Sequence, residues 1–350
     1  MKNITVKADI TIRQGMKKMS ELGEKCLVII DKNNYFKGTL SDGDLRKAIL
    51  NGSKMSGSIE KIYEQNPTVL IEGEYNDDEA NKIFTEDRFD IIPIINSEGK
   101  LSNILSWEMS INNSKEIQVQ NLNSPVVIMA GGKGTRMEPF TKVLPKPLIP
   151  IHDKPIIEHI IEKFTSIGCS DFHLTVNYKS KILKAYFQEL QPDFNVFFVD
   201  EEKPLGTAGS LHLLQGKFVK PFFVTNCDII VEADYRSIYE FHKKGNYDIT
   251  LVASAKEYVI PYGTCELNNE GHLSHINEKP KYNFFINTGL YILNSNILDL
   301  IPKNNFFHIT DLIAKVKSQK GKVGVFPIDD DAWIDIGQWA EYTKAIDKLT

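Results

Sequence analysis

The run "VVIMAGGKGTRMEPFTKVLPKPLIPI", Val126 to Ile151, constrains this chain more than any other stretch. Its first residues are apolar and rich in β-branched types, which predicts a short buried strand over Val126–Ala130. The strand ends in Gly131, Gly132 and Gly134, and the loop that follows carries Lys133, Arg136, Lys142 and Lys146 against one carboxylate, Glu138. Glycines let backbone N–H groups approach a ligand with no side chain between, and the cations set its sign. The loop is built for an anion, yet it contains neither the dinucleotide fingerprint nor the ATPase phosphate loop.

Downstream the pattern alternates. Strand-length apolar runs at His173–Val176, Val196–Val199, Phe222–Thr225, Ile249–Ala253 and Leu290–Leu293 are separated by helical stripes. One stripe is Ile157, Ile160, Ile161 and Phe164, closed by Gly168; another is Ile182, Leu183, Tyr186, Phe187 and Leu190, with Ser180 as the expected cap. This predicts an α/β fold with an open, mostly parallel, Rossmann-like sheet, whose ligands sit at the carboxyl ends of the strands.

At 350 residues the chain exceeds a single core, so two folding units are expected. A net charge of -5 argues against nucleic-acid capture, and no apolar run nears the ~20 residues of a membrane span. A cytoplasmic protein with no membrane partner is expected. Cys26, Cys169, Cys227 and Cys265 are too scattered for a zinc site or a disulfide framework, which predicts reduced thiols.

Residues before Pro125 repeat. A shift of 65 residues lays Val28-Ile29-Ile30 on Pro93-Ile94-Ile95 and Leu40-Ser41 on Leu105-Ser106. Amphipathic stretches precede each copy, with Ile12, Met16 and Met19 in the first and Ala80, Ile83 and Phe84 in the second. Neither copy buries its apolar face alone, so the two are expected to pack into one small domain. The arrangement over 1–113, with copies about 1–57 and 58–113, resembles a pair of cystathionine-β-synthase (CBS) modules, which implies a regulatory purine nucleotide. Gly38, Ser41 and Asp44 match the family's ribose-phosphate signature, while Ser106 is followed by Trp107-Glu108-Met109 without an aspartate. One nucleotide site, at Ser41 and Asp44, is expected; the alternative is that the pair only caps a helix. Polar residues 114–124 read as a linker to a catalytic domain over 125–350.

The stretch "GGKGTRMEPFTKVLPKPLIP" resembles the signature of sugar-1-phosphate nucleotidylyltransferases, and later motifs follow in that family's order. The resemblance implies a nucleotide site formed by Ala130, Gly131, Gly132, Gly134, Thr135 and Arg136 together with Glu201, Glu202, Gly206, Thr207 and Gly209 of "EEKPLGTAG". It implies metal carboxylates at Asp228 and Asp335 holding Mg²⁺, and sugar-phosphate contacts at Lys146, Tyr262, Gly263, Glu278, Lys279 and Asn287. The chain departs from the family at Asn226-Cys227, where a small residue is commoner before the metal aspartate.

The residue types suit the chemistry. A sugar 1-phosphate is already an anionic nucleophile near neutral pH, its second pKa being about 6, so the difficulty is bringing two polyanions together. Arg136 and Lys146 would offset charge and Asp228 and Asp335 would hold a hard cation. The acids Glu201 and Glu202, where pyrimidine-using members place a glutamine, suit the two-donor edge of guanine and so favour GTP. The CBS fusion also resembles the glucosamine-1-phosphate guanylyltransferases of GDP-legionaminic acid synthesis. Mannose- and heptose-1-phosphate guanylyltransferases, and glucose-1-phosphate thymidylyl- or uridylyltransferases, are the alternatives. Outside enzymes, a nucleotide-sensing regulatory subunit is the competing reading. CBS pairs often dimerise, which predicts a homo-oligomer.

Overall fold

The computed structural model describes residues 4–76, 79–80, 82–84, 91–106 and 121–348. Two compact units emerge: 1–119 with 255–284, and 120–254 with 285–350.

The second unit is built on a seven-stranded sheet. Its strands are β1 (Val126–Met129), β2 (Asp171–Val176), β3 (Asn195–Asp200), β4 (Phe222–Asn226), β5 (Ile249–Val259), β6 (Lys281–Leu293) and β7 (Val323–Asp329). They lie in the order β3-β2-β1-β4-β6-β5-β7. β3, β2, β1 and β4 are parallel neighbours, and β6 runs antiparallel to β4 with Thr225 opposite Leu290. The fold is thus α/β with a mostly parallel open sheet. Each predicted strand forms, but β5 and β6 run well past their apolar cores.

Alternation along the strands separates two cores. Val126, Ile128, Phe223, Leu290 and Ile292 face one side, with helices α1 (Ile156–Thr165), α2 (Ser180–Leu190), α3 (Tyr235–Gly245) and α5 (Trp339–Lys348). Val127, Phe222, Val224, Tyr291 and Leu293 face the other, with α4 (Ile309–Ser318) and the turns over 206–214. Two details differ from the sequence reading. Ser180 is not the cap of α2: Lys179 occupies that position in the left-handed region, with no side-chain cap bond. Ile182 and Leu190 are exposed, so the buried stripe of α2 narrows to Leu183 and Phe187.

In the first unit the 65-residue repeat is visible in the pairing. Thr5–Val6 lies parallel to Cys26–Ile30, as Leu70–Ile71 does to Ile91–Ile95. Each second strand then pairs antiparallel with the next, with Gly38 opposite Ile29 and Asn103 opposite Ile94, and each ladder shifts register at the following residue. Ile12, Met16 and Met19 are buried, as are Ala80 and Phe84. Trp107, Glu108, Met109 and the linker up to Gln120 lie outside the described residues. Leu122 and Asn123 donate their N–H groups to Ile167 and Gly168, which ties the end of that stretch into the second unit.

Phe164 on α1 is fully buried and meets Phe172, Phe223 and Tyr235 edge-on at centroid spacings of 6.4, 5.2 and 4.7 Å, typical of such pairs. Phe164→Ala should cost about 3–5 kcal/mol, read as a lower urea midpoint for the second unit's unfolding transition.

Candidate active site

A strand pair too short to read from periodicity assembles the site. Ile229–Val231 runs antiparallel to Trp333–Asp335, with Ile229 opposite Asp335. The Ile336 N–H donates to the Asp228 carbonyl at 2.8 Å. Asp228, just beyond the carboxyl end of β4, and Asp335 therefore meet although far apart in sequence. A Cβ built on Gly337 would lie 2.8 Å from Asp335 Oδ1, 3.1 Å from Asp228 Oδ2 and 3.5 Å from Arg136 Nη2. Both carboxylates and one guanidinium thus face a small volume that only glycine leaves open.

Charge balance there is delicate. Lys146, 7% exposed, is ion-paired through Nζ with Asp228 Oδ2. Burial pushes the Asp335 carboxyl above its ordinary range, the Gly337 N–H pulls it down from 2.7 Å, and the Asp228 charge pushes it up again. Among the described residues no third His, Cys, Asp or Glu completes a metal-ligating cluster. Two hard oxygen donors with mutual repulsion still fit Mg²⁺, which usually takes one or two carboxylates and fills its remaining positions with phosphate oxygens and water.

The glycine loop lies beside this pair. Gly134 has φ +67° and caps the 3₁₀ turn Thr135–Met137; the Thr141 hydroxyl donates to its carbonyl at 2.9 Å. The Trp339 indole N–H, from α5, donates to the Glu138 carbonyl at 2.8 Å, and its ring packs 5.0 Å from Phe140. Met137 is buried, whereas Gly132, Lys133, Thr135 and Arg136 are exposed. Nothing lies within 4 Å of a Cβ built on Gly132, so its backbone is open to a ligand. Ala130 is buried and its N–H bonds to the Thr175 carbonyl.

Glu201 and Glu202 divide. Glu202 is exposed; Glu201 is 8% exposed and its Oε1 would sit 2.7 Å from a Cβ on Gly131. Burial raises the Glu201 carboxyl above its usual range, countered by the Leu205 N–H and the Thr175 and Ser210 hydroxyls. Asn177, absent from the sequence expectations, donates to the Glu201 carbonyl at 2.6 Å and abuts Gly131. Its signal was an asparagine just past the end of β2, matched to nothing local.

Gly206 and Gly209 serve a purpose the sequence did not disclose. A Cβ on either would lie 2.7 Å from a carbonyl oxygen, of Phe307 or Asn305, and the Ala208 and Gly209 N–H groups both donate to Phe307. The close approach they permit is to the 305–307 backbone; Thr207 likewise accepts from the Ile309 N–H. Asn287 is held internally, its amide donating to the Tyr291 hydroxyl at 2.7 Å, while the Asn226 amide covers Gly289. Cys227 is buried, its thiol pushed up to about 12 by desolvation, and none of the four cysteines, all among the described residues, is in a disulfide.

Tyr262, Gly263, Glu278 and Lys279 belong to the 255–284 excursion of the first unit, where all four are exposed; Glu278 Oε2 is 3.0 Å from a Cβ on Gly263. In the same unit, Ser41 and Asp44 cap the helix Asp42–Leu50 and cap each other: Asp44 Oδ2 accepts from the Ser41 N–H and hydroxyl, and Ser41 Oγ accepts from the Asp44 N–H. They also line a cavity of about 480 Å³ with Cys26, Thr39, Glu64, Asn66 and Thr68. Gly38 has φ +151° and lies against the Glu64 carbonyl, so it shapes that wall. A second cavity, about 700 Å³, opens at the amino ends of β2 and β3, away from where such sheets bind ligands.

Residues 125–350 match the nucleotidyl transferase family model. The chain belongs to the nucleotidyl transferase family. Residues 1–51 match the CBS domain model. The chain is 34% identical over 222 residues to mannose-1-phosphate guanyltransferase 2 of Candida glabrata, an alignment covering 61% of each chain. It spans about three fifths of the length of such relatives. Its fold is similar to the crystal structure of HddC from Yersinia pseudotuberculosis, with a TM-score of 0.52 and 28% identity over 65% of this chain and all of that one. HddC complexed with GMP-PN gives the same TM-score at 27% identity, again over 65% of this chain and 100% of that one. Among the described residues no helix is long and apolar enough to cross a membrane.

Because Gly206 combines φ +82° with a blocked Cβ direction, Gly206→Ala should lose about 1–3 kcal/mol of stability in urea unfolding. Gly132→Ala, in open space, should stay within about 0.5 kcal/mol of the parent.

Proposed function

We propose that this chain is a sugar-1-phosphate nucleotidylyltransferase that joins a nucleoside triphosphate, GTP, to a sugar 1-phosphate and releases pyrophosphate. The observation that carries it is the convergence of Asp228 and Asp335 beside Lys146 and Arg136, under an open glycine loop, in a chain of the nucleotidyl transferase family.

The reaction needs no base. An oxygen of the sugar phosphate bonds to the α-phosphorus as the bond to the β-phosphate oxygen breaks, and pyrophosphate leaves with the electron pair. Ala130 to Thr135 present backbone to the triphosphate, and Arg136 and Lys146 offset charge that accumulates between the two polyanions. Lys146 also holds Asp228 in place through their ion pair. Asp228 and Asp335 would hold Mg²⁺, whose chemistry when bound is to neutralise phosphate charge. The excursion residues Tyr262, Gly263, Glu278 and Lys279, with Asn287, are assigned to the sugar phosphate.

For the base, Glu201 is favoured over Glu202. A buried carboxylate with raised proton affinity gains most from hydrogen-bond donors, and guanine offers two on one edge. The guanyltransferase relatives and the GMP-PN complex of HddC support the same choice. Mannose 1-phosphate follows the relatives' name, and glucosamine 1-phosphate follows the CBS fusion; heptose 1-phosphate is the third arm of the test.

A matrix of nucleoside triphosphates against sugar 1-phosphates, read by pyrophosphate release, should give its highest rates in the GTP row. Asp228→Ala and Asp335→Ala should each lower kcat by about 10³ or more, and EDTA should abolish turnover until Mg²⁺ is restored. Highest rates with UTP or dTTP would overturn the base assignment, and no pyrophosphate from any pair would overturn the reaction.

The cavity at Ser41 and Asp44 is proposed as a purine-nucleotide site. Among the described residues that line it are Asp44 and Glu64 but no lysine or arginine, which suits ribose and base with any phosphate left towards solvent. AMP and adenosine should raise the thermal midpoint of the parent similarly, with both effects lost in Asp44→Ala. A shift given by AMP alone would assign the recognition to the phosphate instead.

A further inference from the structure

The helix Ile12–Leu22 of the first unit is fastened to the excursion that leaves the large sheet in mid-strand. Half-buried Arg13 reaches both ends of that excursion at once. Its Nη2 donates to Asn283 Oδ1 at 2.9 Å and its Nη1 to the Ala255 carbonyl at 3.4 Å. Ala255 is 1% exposed and belongs to the same apolar core as Ile12, Met16 and Leu45. The backbone carbonyl of a core alanine and a side-chain amide therefore bind the two strands of the excursion to one guanidinium, whose planar fork suits two acceptors held apart.

What those strands lead to gives the contact its meaning. Between Ala255 and Asn283 lie Tyr262, Gly263, Glu278 and Lys279, and the hairpin Thr264–Leu267 with Leu273–Asn277 is exposed along nearly its whole length. A two-stranded ribbon with so little burial does not hold its own position. Something at its root must.

We propose that Arg13 is a positioning residue for the sugar 1-phosphate: it fixes the root of the excursion and so sets affinity for that substrate, not for the nucleoside triphosphate. The proposal rests on the sugar-phosphate role given above to the excursion.

Initial rates of the full chain test it, with Arg13→Ala, Asn283→Ala, their double variant and Asn283→Asp. Arg13→Ala should raise KM for the sugar 1-phosphate about tenfold, leaving kcat and KM for the triphosphate within about twofold. The double variant should be no worse than Arg13→Ala, and Asn283→Asp, which still accepts from the guanidinium, should keep the parent's KM. Amide hydrogen exchange, independent of turnover, should quicken over 255–260 and 280–284 in both alanine variants. Equal rises in both KM values, an unchanged sugar KM, or exchange at the parent's rate would overturn the proposal. If the parent itself releases no pyrophosphate with any substrate pair, the assigned reaction fails and the positioning role with it. Faster exchange in the variants would then establish the anchor as purely structural.

Discussion

The structure turns on holding two carboxylates together where they repel. Burial raises the Asp335 carboxyl, and the Asp228 charge raises it further. Asp228 and Asp335 persist side by side because the backbone leaves no choice. Three residue pairs of ladder, Ile229 with Asp335 to Val231 with Trp333, fix the strands, and the Ile336 N–H to the Asp228 carbonyl extends the clamp past the last pair. The Lys146 ammonium and the Gly337 N–H then return part of the cost locally. An incoming cation would meet two carboxylates already oriented.

That arrangement also explains the loop's economy of anchors. Gly134 in the left-handed region turns the chain over Lys146, whose Cβ lies 3.1 Å from the Cβ direction of that glycine, and Trp339 pins the far side through the Glu138 carbonyl. The loop is held at its edges, leaving Gly132 clear. Lys146 is thus a buried residue of the loop's frame as well as a charge, which is why the Pro-Lys-Pro spacing matters: the prolines restrict the backbone on either side of a lysine that must reach one carboxylate.

How much of this the chain discloses unaided depends on the range of the contact. The sheet was legible because strand and helix periods are local, and the loop because its glycine and lysine spacing is irregular enough to be distinctive. The 65-residue repeat was legible for the same reason and reappears as matching ladders down to the register shift after Ile29 and Ile94. Contacts between distant segments were not. Gly206 and Gly209 look like ligand glycines until Asn305 and Phe307 are seen against them, and Gly337 matters only once Asp228 is beside it. Lys179 displaced Ser180 as the cap of α2 because a left-handed turn, which no local pattern announces, precedes that helix. The length of β5 and β6 was hidden too: "SAKEYV" sets two adjacent charges in the strand and reads weakly beside the apolar run before it.

The hidden length has the larger consequence. Because β5 and β6 continue through the division between the units, Tyr262, Gly263, Glu278 and Lys279, assigned to the sugar phosphate, cluster with the N-terminal unit, while Asn287, the carboxylates, Lys146 and the glycine loop cluster with the sheet. The helix that bears Arg13 packs at Gly15 on Leu40 and Leu45, the residues that bracket Ser41 and Asp44 at the 480 Å³ cavity. The cavity's Ser41 and Asp44 are thus each next in sequence to a leucine on which that helix packs, and the helix is bonded to the excursion. With the sugar-phosphate role proposed for the excursion, the anchor at Arg13 belongs to one unit and the charge balance at Asp228 and Asp335 to the other, so the proposed change in affinity at Arg13 needs no change in the carboxylates.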